Sequence, residues 1–306
     1  MQALSLSDIH CDTALELFKL KEDFSQNSLS VSSRLADEFD RYIQVAAVWS
    51  DKSLGCDQAY ERFFEVVKYL EDSIKNDSSV ALFRGGLTSR KSLVLAVEDA
   101  RLLNGDIDRL TTLYSAGVRI LTLLWSGVTC IGGSFDTNVG LTEFGRRVVE
   151  KCIELGVVPD ISHASIESSY DIFDICASKT PVIASHSDSY SVYSHKRNLS
   201  DEQFLKIKDS GGLVGINLYK DHLGADVEKS PVDTVMRHVE HYLELGGTDT
   251  VCFGCDFDGA NTPKELQNIS SLYKLADEMV RRNYTGELID KIFYLNVENF
   301  ILKYIK

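Results

Sequence analysis

The chain has 306 residues, of which 44% are hydrophobic and 25% are charged, and its formal net charge is −14 at pH 7. This length can bury a large core, either as two ordinary domains or as one (β/α)₈ barrel, which typically takes ~250 residues. The acidic balance disfavours partners such as nucleic acids and anionic membranes.

Strand-like and helix-like blocks alternate along the whole chain. Most β-rich runs are nearly continuous apolar stretches, such as Leu213 to Leu218, which is typical of parallel strands buried on both faces. Residues 22–40 are polar and irregular, so we expect a long first loop there. We predict eight strands, at residues 4–10, 42–49, 92–98, 118–125, 157–163, 181–186, 212–218 and 250–256.

Helical periodicity fills the connections between these runs. Residues 60–74 are amphipathic, and residues 148–155 end at Gly156, which is typical of a helix C-cap. A serine and a glutamine three residues apart at 200–203 resemble a capping box at a helix start. Residues 288–304 contain neither Gly nor Pro and predict a closing helix.

Eight strands with helical connections predict one α/β domain, a (β/α)₈ TIM barrel over residues 1–306. An open doubly wound sheet is the alternative. Its dinucleotide-binding version requires a Gly-x-Gly-x-x-Gly after the first strand, and the chain has none there. Gly132-Gly133 lies in a loop without a following Gly-Lys-Ser/Thr, which argues against a phosphate loop.

The cysteines and the chain start bear on the cellular compartment. Seven cysteines, an odd number without framework spacing, are typical of a reducing environment. Cys252 and Cys255 form a CxxC pair, but strand positions three apart face opposite ways and lie ~10 Å apart, beyond disulfide reach. No apolar run has transmembrane length, and strand-like sequence from residue 4 leaves no room for a signal peptide, so we expect a cytoplasmic protein.

The first strand ends in a pair of metal-ligand side chains. Residues two apart on a strand share a face, so His10 and Asp12 converge while Cys11 faces the barrel wall and helices. An imidazole and a carboxylate suit Zn²⁺ or a similar divalent ion. An isolated pair of this kind is also explained by a histidine hydrogen-bonded to a nearby carboxylate.

Other strands end in the same chemistry, with Glu98 after the third, His163 after the fifth, His186 after the sixth and Asp256 after the eighth. Barrel enzymes place their chemistry at the C-terminal ends of the strands. Any one of these residues alone is also explained by a structural ion pair or a histidine buried in the core. Their joint position at one edge of the barrel favours a metal site.

Six such groups exceed the three protein ligands of a catalytic zinc. Two ions ~3.5–4 Å apart, bridged by the two oxygens of Glu98, account for them better. His10 and Asp12 would then hold one ion, and His163 and His186 the other.

The chain resembles the renal (membrane) dipeptidase family of metallopeptidases. The resemblance spans essentially the whole chain and lies in six segments that occur in the family's order: Asp8-Ile9-His10-Cys11-Asp12, Val97-Glu98-Asp99, Asp160-Ile161-Ser162-His163, Ile183-Ala184-Ser185-His186-Ser187, His195-Lys196-Arg197-Asn198-Leu199 and Cys255-Asp256-Phe257-Asp258-Gly259.

The resemblance implies an amidohydrolase-type barrel with two Zn²⁺ ions, or other divalent ions, held by His10, Asp12, bridging Glu98, His163 and His186. It also implies that Asp256 handles the proton of a bridging water and that Arg197 binds the C-terminal carboxylate of a dipeptide. A planar guanidinium pairs bidentately with carboxylate, although without the family Arg197 is interpreted as a solvated loop residue. Tyr219, just past the seventh strand, is a further candidate substrate contact.

The expected activity is therefore hydrolysis of a dipeptide by hydroxide bridging two metal ions. One alternative is an N-acyl amino acid amidohydrolase, whose substrate carboxylate Arg197 would also bind. The other is a metal-binding protein without turnover. A small substrate is the expected partner, with no nucleic acid and no membrane, and a homodimer is compatible with the sequence.

The chain departs from the family after the fourth strand. Where the family often has Thr-His-Asn, this chain has Leu124-Trp125-Ser126. The family histidine is the one expected to stabilise the oxyanion. Trp125 can donate a hydrogen bond through its indole N–H but cannot protonate. We expect Trp125 to form a wall of the substrate pocket, with oxyanion stabilisation resting more on the metal.

Overall fold

A computed structural model describes residues 4–306. Its eight strands form one parallel sheet in the order β6-β5-β4-β2-β1-β8-β7, and β3 pairs with β4 off this path. The strands are β1 (Leu6–Cys11), β2 (Tyr42–Trp49), β3 (Val80–Leu82), β4 (Lys91–Glu98), β5 (Val118–Thr122), β6 (Val158–Asp160), β7 (Val214–Ile216) and β8 (Val251–Phe253).

Twelve α-helices connect and follow these strands in the described part of the chain, together with short 3₁₀ and π turns. None of them has both the length and the apolar composition needed to cross a bilayer. The helices are α1 (Thr13–Leu20), α2 (Ser33–Ala36), α3 (Cys56–Ile74), α4 (Asp108–Ser115), α5 (Glu143–Leu155), α6 (Ile166–Cys176), α7 (Asp201–Asp209), α8 (Lys220–Leu223), α9 (Pro231–Glu244), α10 (Tyr273–Arg281), α11 (Gly286–Asp290) and α12 (Asn296–Tyr304).

A two-residue segment closes the sheet into a ring. Ile183 bridges to Asp160 in β6, and Ala184 bridges to Val214 in β7. The ring therefore has eight positions, and we number them one to eight as β1, β2, β4, β5, β6, residues 183–184, β7 and β8. This is the predicted TIM barrel, with every ring strand parallel to its neighbours.

The strands predicted at 118–125, 157–163, 212–218 and 250–256 are shorter in the structure, and two further strand predictions need correction. The predicted strand at 181–186 is reduced to the two bridging residues, since the chain pairs only briefly on each side there. The three-residue β3 was not predicted, because it is too short to show a period. It pairs with the N-terminal half of β4 and leaves the C-terminal half free for β5, so it adds no ring position.

The predicted helices are present, with some differences in where they begin and end. The helix before Gly156 ends there in the left-handed conformation, and Ser200 and Gln203 form the predicted capping box. The closing helix is broken by a π turn at Lys291–Leu295, between α11 and α12. The predicted first loop, 22–40, is irregular apart from the single turn of α2.

The barrel wall separates two apolar layers. On β4, Val94 and Ala96 face the barrel interior, while Leu93, Leu95 and Val97 face the surrounding helices. The interior layer continues into α12, whose residues Val297, Phe300 and Ile301 pack against it. Because Arg41, just before β2, pairs with Glu298 of α12, this helix lies at the N-terminal ends of the strands and leaves the opposite mouth open.

We expect Gly145→Ala to lower the free energy of unfolding by about 1–3 kcal/mol, because an added methyl would overlap the backbone oxygen of Ile131. Gly286→Ala is the matched control, since Gly286 likewise lies in the first turn of a helix and its added methyl would meet nothing within 4 Å. It should leave stability unchanged or raise it by up to ~1 kcal/mol. Urea unfolding measures both, and equal effects would contradict tight packing around Gly145.

Candidate metal centre and active site

A β-bulge in β1 determines which side chains of the first strand face the mouth. The pairing of β1 with β2 shifts register between Asp8 and Cys11, so residues 9 and 10 together oppose Val45. Ile9 joins the interior layer, and His10 also turns inward, while Cys11 packs in the layer beneath the helices. The bulge thus aims His10 and Asp12 into the barrel, as bulges near active sites commonly do.

Glu98, the last residue of β4, lies at the centre of the predicted ligands. Its Oε2 is 3.4 Å from His10 Nε2, and its Oε1 is 3.1 Å from His163 Nε2 and 3.7 Å from His186 Nε2. The two imidazole nitrogens of His163 and His186 are 2.9 Å apart. One carboxylate therefore presents a different oxygen to each of two ligand groups.

The other two predicted carboxylates lie on the His10 side of Glu98. His10 Nε2 is 3.8 Å from Asp12 Oδ2 and 3.9 Å from Asp256 Oδ1. These three residues could hold one ion, and His10, Glu98 and His186 form a second overlapping group. Asp256 is the carboxylate most open to solvent, at 16% of its side chain against 4% for Glu98.

A buried hydrogen-bond chain orients His186. Ser185 Oγ lies 2.7 Å from His186 Nδ1 and donates to Asp160 Oδ2 at 2.6 Å. Asp160 also accepts from the backbone N–H groups of Ser162 and Ser185 and from the Thr122 hydroxyl. Because the Ser185 hydroxyl donates to Asp160, the Ser185 oxygen can accept from the Nδ1–H of His186. The lone pair on His186 Nε2 is then directed at the cluster around Glu98.

Asp256 is held by its backbone and by one amide. It adopts a left-handed φ of 59°, and its N–H donates to His10 O at 3.1 Å. Asn217 Nδ2 lies 3.5 Å from Asp256 Oδ2, on the side away from His10. A side chain on Gly259 would overlap the carboxylate of Asp12, so this position needs glycine for the close approach.

Burial and crowding of carboxylates set the charges of the cluster. Burial raises the pKa of Glu98 above its usual range, and repulsion from Asp12 and Asp256 adds to this against the opposing effect of His10. Burial also raises the pKa of Asp256. Burial lowers the pKa values of His163 and His186, and nearby cations including Arg197 lower them further. Neutral imidazoles are the form that binds a cation, so the lowered pKa values suit His163 and His186 as ligands, and a cation would offset the repulsion that raises the pKa of Glu98.

Arg197 is a buried cation without an ion-pair partner. It is 4% exposed, donates to Ser187 Oγ at 3.0 Å and to His186 O at 3.1 Å, and its Nε–H has no acceptor among residues 4–306. No carboxylate of that range lies within salt-bridge distance of it. A guanidinium has five N–H donors, so three remain for a ligand.

A cavity of about 580 Å³ joins these groups at the mouth of the barrel. Its lining includes Glu98, His163, His186, Asp256, Arg197, Trp125 and Tyr219, so the predicted substrate contacts share one space with the predicted ligands. The Tyr219 hydroxyl donates to Asp221, which leaves its ring as the part facing the cavity's other groups.

Some residues of the site were not predicted as functional. Asp160 and Ser185 were noted only as parts of the segments that resemble the family. Asp160 follows a buried apolar run, and a buried carboxylate normally has hydrogen-bond donors around it, so its position could have predicted this network. Trp49 and Asn217 lie in strand-like runs whose sequences resemble ordinary core. Their position at the mouth depends on where each strand ends.

These features define a class of protein, a (β/α)₈ barrel with a cluster of imidazoles and carboxylates at its C-terminal mouth. A sequence model of the membrane dipeptidase family, peptidase family M19, matches residues 1–301. The chain belongs to this family of metallopeptidases.

Two relatives are each 31% identical to the chain. One is described as an uncharacterized protein in the pqqA 5′ region of Klebsiella pneumoniae, with 67% of this chain and 79% of the relative aligned. The other is an uncharacterized dipeptidase of Schizosaccharomyces pombe, with 72% of this chain aligned. The alignment covers 54% of the yeast protein, so the chain spans about half the length of that relative.

Solved structures share the fold over the full chain. The dipeptidase AC, a metallopeptidase of family M19, has a TM-score of 0.90 and 24% identity, with all of both chains covered. A metallopeptidase from Rhodobacter sphaeroides, solved with a phosphinate mimic of the dipeptide L-Ala-D-Ala, has a TM-score of 0.89 and 24% identity, covering 99% of this chain and 100% of that one.

His238, on α9, supports the loop that carries Arg197. Its Nδ1 accepts from the Ser189 N–H at 3.1 Å, and its Nε2 lies 2.9 Å from Leu223 O. Because Nδ1 is an acceptor here, the ring must be neutral with its proton on Nε2. Burial lowers the pKa of His238 from 6.5 to about 4.

We expect this depressed pKa to make stability fall with acidification. His238 takes up a proton near pH 6.5 in the unfolded chain but only near pH 4 in the folded chain. Neutral His238 therefore makes its full contribution to the free energy of unfolding above pH 6.5, and about 2 kcal/mol of that contribution is lost by pH 5. His238→Gln should be less stable at pH 7.5 but should decline less between pH 7 and 5. Urea unfolding across this range tests it, and equal pH slopes in the two proteins would contradict it.

Proposed function

We propose that this chain is a metal-dependent dipeptidase, acting as a single barrel domain, with two divalent ions, zinc by preference, at the mouth. His10 and Asp12 would hold one ion, His163 and His186 the other, and Glu98 would bridge them. The observation that carries the proposal is the arrangement of Glu98, whose two oxygens face two separate ligand groups. The adjoining cavity also contains Arg197, which has no ion-pair partner within residues 4–306.

The donor set fits such ions on two grounds. His10 Nε2 and Asp12 Oδ1 are buried without hydrogen-bond partners within residues 4–306, and the other oxygen of Asp12 lies 3.8 Å from His10 Nε2. Buried polar atoms of this kind normally have a partner, and a cation would supply one. Imidazole nitrogens and carboxylate oxygens are also the ligands of catalytic zinc sites.

Asp256 is the proposed proton carrier of the reaction. Divalent ions held by these residues would supply Lewis acidity and lower the pKa of a bound water toward neutrality. Asp256 takes the proton of the attacking water and delivers it to the leaving amine. Its partial exposure to the cavity and the amide of Asn217 on its far oxygen both support a carboxylate held in place and able to reach substrate.

Arg197 is the proposed anchor for the substrate's free carboxylate. Its remaining N–H donors lie in the cavity, and a buried guanidinium gains most from an anionic ligand that is planar and bidentate. The anchor limits substrate length, because only a carboxylate one residue beyond the scissile bond reaches it. The phosphinate dipeptide mimic bound by the Rhodobacter neighbour supports the same substrate class.

The charge of the cavity favours a dipeptide over an N-acyl amino acid. Beyond the proposed ligands and Asp256, Glu16 and Asp258 also line it, while Arg197 is its one cationic side chain in the described chain. A dipeptide carries a free ammonium group that complements these carboxylates, and an N-acyl amino acid lacks it.

The purified protein tests the proposal directly. We expect hydrolysis of unblocked dipeptides, loss of activity with a chelator, and recovery when Zn²⁺, Mn²⁺ or Co²⁺ is added, with about two ions per chain by metal analysis. Faster hydrolysis of matched N-acetyl amino acids would indicate the amidohydrolase instead. Metal binding without hydrolysis of either class would indicate a binding protein.

We expect Asp256→Asn to retain metal and dipeptide binding but to lower kcat by about 10²–10⁴-fold, because the amide cannot accept the proton. Metal content and calorimetric dipeptide titration measure binding, and stopped assays measure turnover. Near-normal turnover would contradict the role of Asp256.

We expect Arg197→Lys to raise KM for dipeptides by about 10–100-fold, because the point charge cannot reproduce the bidentate contact. Wild-type enzyme should show a similar penalty for a dipeptide whose C-terminus is amidated. In Arg197→Lys the penalty for amidation should shrink, as expected when two changes remove one interaction. Additive penalties would contradict the proposed contact.

A further inference from the structure

The two tryptophans of the chain lie together at the mouth. Trp49 ends β2 at ring position two, and Trp125 lies three residues past β5 at position four. Their ring centroids are 5.0 Å apart and both line the cavity, so the pair spans the end of β4, where Glu98 lies. The full sequence contains no other tryptophan, so every indole of this protein is in the site.

Trp49 lies across the ring from the anchor side, and Trp125, at position four, rests against Trp49 two steps from position six. Arg197 donates to the backbone of His186, just past ring position six, and position six is four steps from position two in a ring of eight. The Glu98 cluster lies between the two sides. A dipeptide extends ~7 Å, so a molecule anchored at Arg197 with its scissile bond at the cluster directs its amino-terminal residue toward the tryptophans.

The wall on that side is apolar and open to a ligand. Leu15 lines the cavity as well as the two indoles. Trp49 packs against the core, whereas Trp125 is half-buried and rests on Trp49. Lys52 donates to the Ser126 hydroxyl at 3.1 Å, and its ammonium lies 5.7 Å from the Trp125 ring.

We infer that Trp49 and Trp125 form the binding surface for the substrate's amino-terminal side chain and give the enzyme a preference for large apolar or aromatic residues there. The inference rests on the proposed dipeptidase function and specifies its substrate class. Indole faces bind phenyl and branched aliphatic groups through burial and offset stacking. We expect kcat/KM for Phe-Ala to exceed that for Gly-Ala by about 10–100-fold.

The test varies only the first residue, with Gly-Ala, Ala-Ala, Leu-Ala and Phe-Ala as substrates. Trp125→Ala should reduce the ratio of kcat/KM for Phe-Ala to that for Gly-Ala at least fivefold, and Trp125→Phe should retain most of it. Val128→Ala is the matched control, because Val128 is an exposed apolar residue on the same loop that does not line the cavity. It should leave the ratio unchanged.

Each other outcome overturns the inference in a distinguishable way. An unchanged ratio in Trp125→Ala assigns the specificity elsewhere. An equal loss on every substrate in Trp125→Phe assigns Trp125 to the substrate carbonyl instead of the side chain. Absence of hydrolysis of all four substrates by the metal-loaded wild type rejects the dipeptidase function itself.

Tryptophan fluorescence gives a second readout that needs no turnover. In Asp256→Asn, Phe-Ala should produce a saturable change in emission, and a smaller change is expected from Gly-Ala at equal saturation. Trp49→Phe and Trp125→Phe, each added to Asp256→Asn, separate the two indoles. A change of equal size with both dipeptides would contradict contact between the first side chain and the tryptophans.

Discussion

The site depends on one carboxylate, Glu98, held between imidazoles in the interior of the barrel mouth. Its two oxygens lie 3.4 Å from His10 Nε2 and 3.1 Å from His163 Nε2, and the side chain is almost completely buried. Such crowding of ionisable groups out of water is unfavourable unless each group has a partner. The surrounding structure, from the bulge in β1 to the Asp160–Ser185–His186 chain, keeps these groups in place.

The residues of the site differ in how close they lie to the strands of the barrel. Glu98 and His10 lie within strands of the ring, and His163 and His186 lie within three residues of one. Arg197 lies on a longer connection, where changes of sequence disturb the barrel less, whereas Trp49 ends β2 and Trp125 lies three residues past β5. The proposed metal centre and the tryptophan pair are thus supported by the sheet, while the proposed carboxylate anchor is set by a loop.

Much of the fold was predictable because buried parallel strands and amphipathic helices leave strong periodic signals. The run at 42–49 coincides with β2, and the helix stop at Gly156 and the capping box at Ser200 lie where the sequence places them. The missed β3 and the shortened segment at 183–184 each pair over only two or three residues, and so few residues leave no local period.

The sequence by itself determined the order of the strands, the chemistry at their ends and the resemblance to a metallopeptidase family, because these depend on residue types and spacing. Only the tertiary structure decided which oxygen of Glu98 faces which imidazole, that Arg197 has no ion-pair partner in residues 4–306, and that Trp49 meets Trp125 across the end of β4. Those relations join residues far apart in the chain, and they arise from closure of the ring and the bulge in β1, which no local pattern encodes.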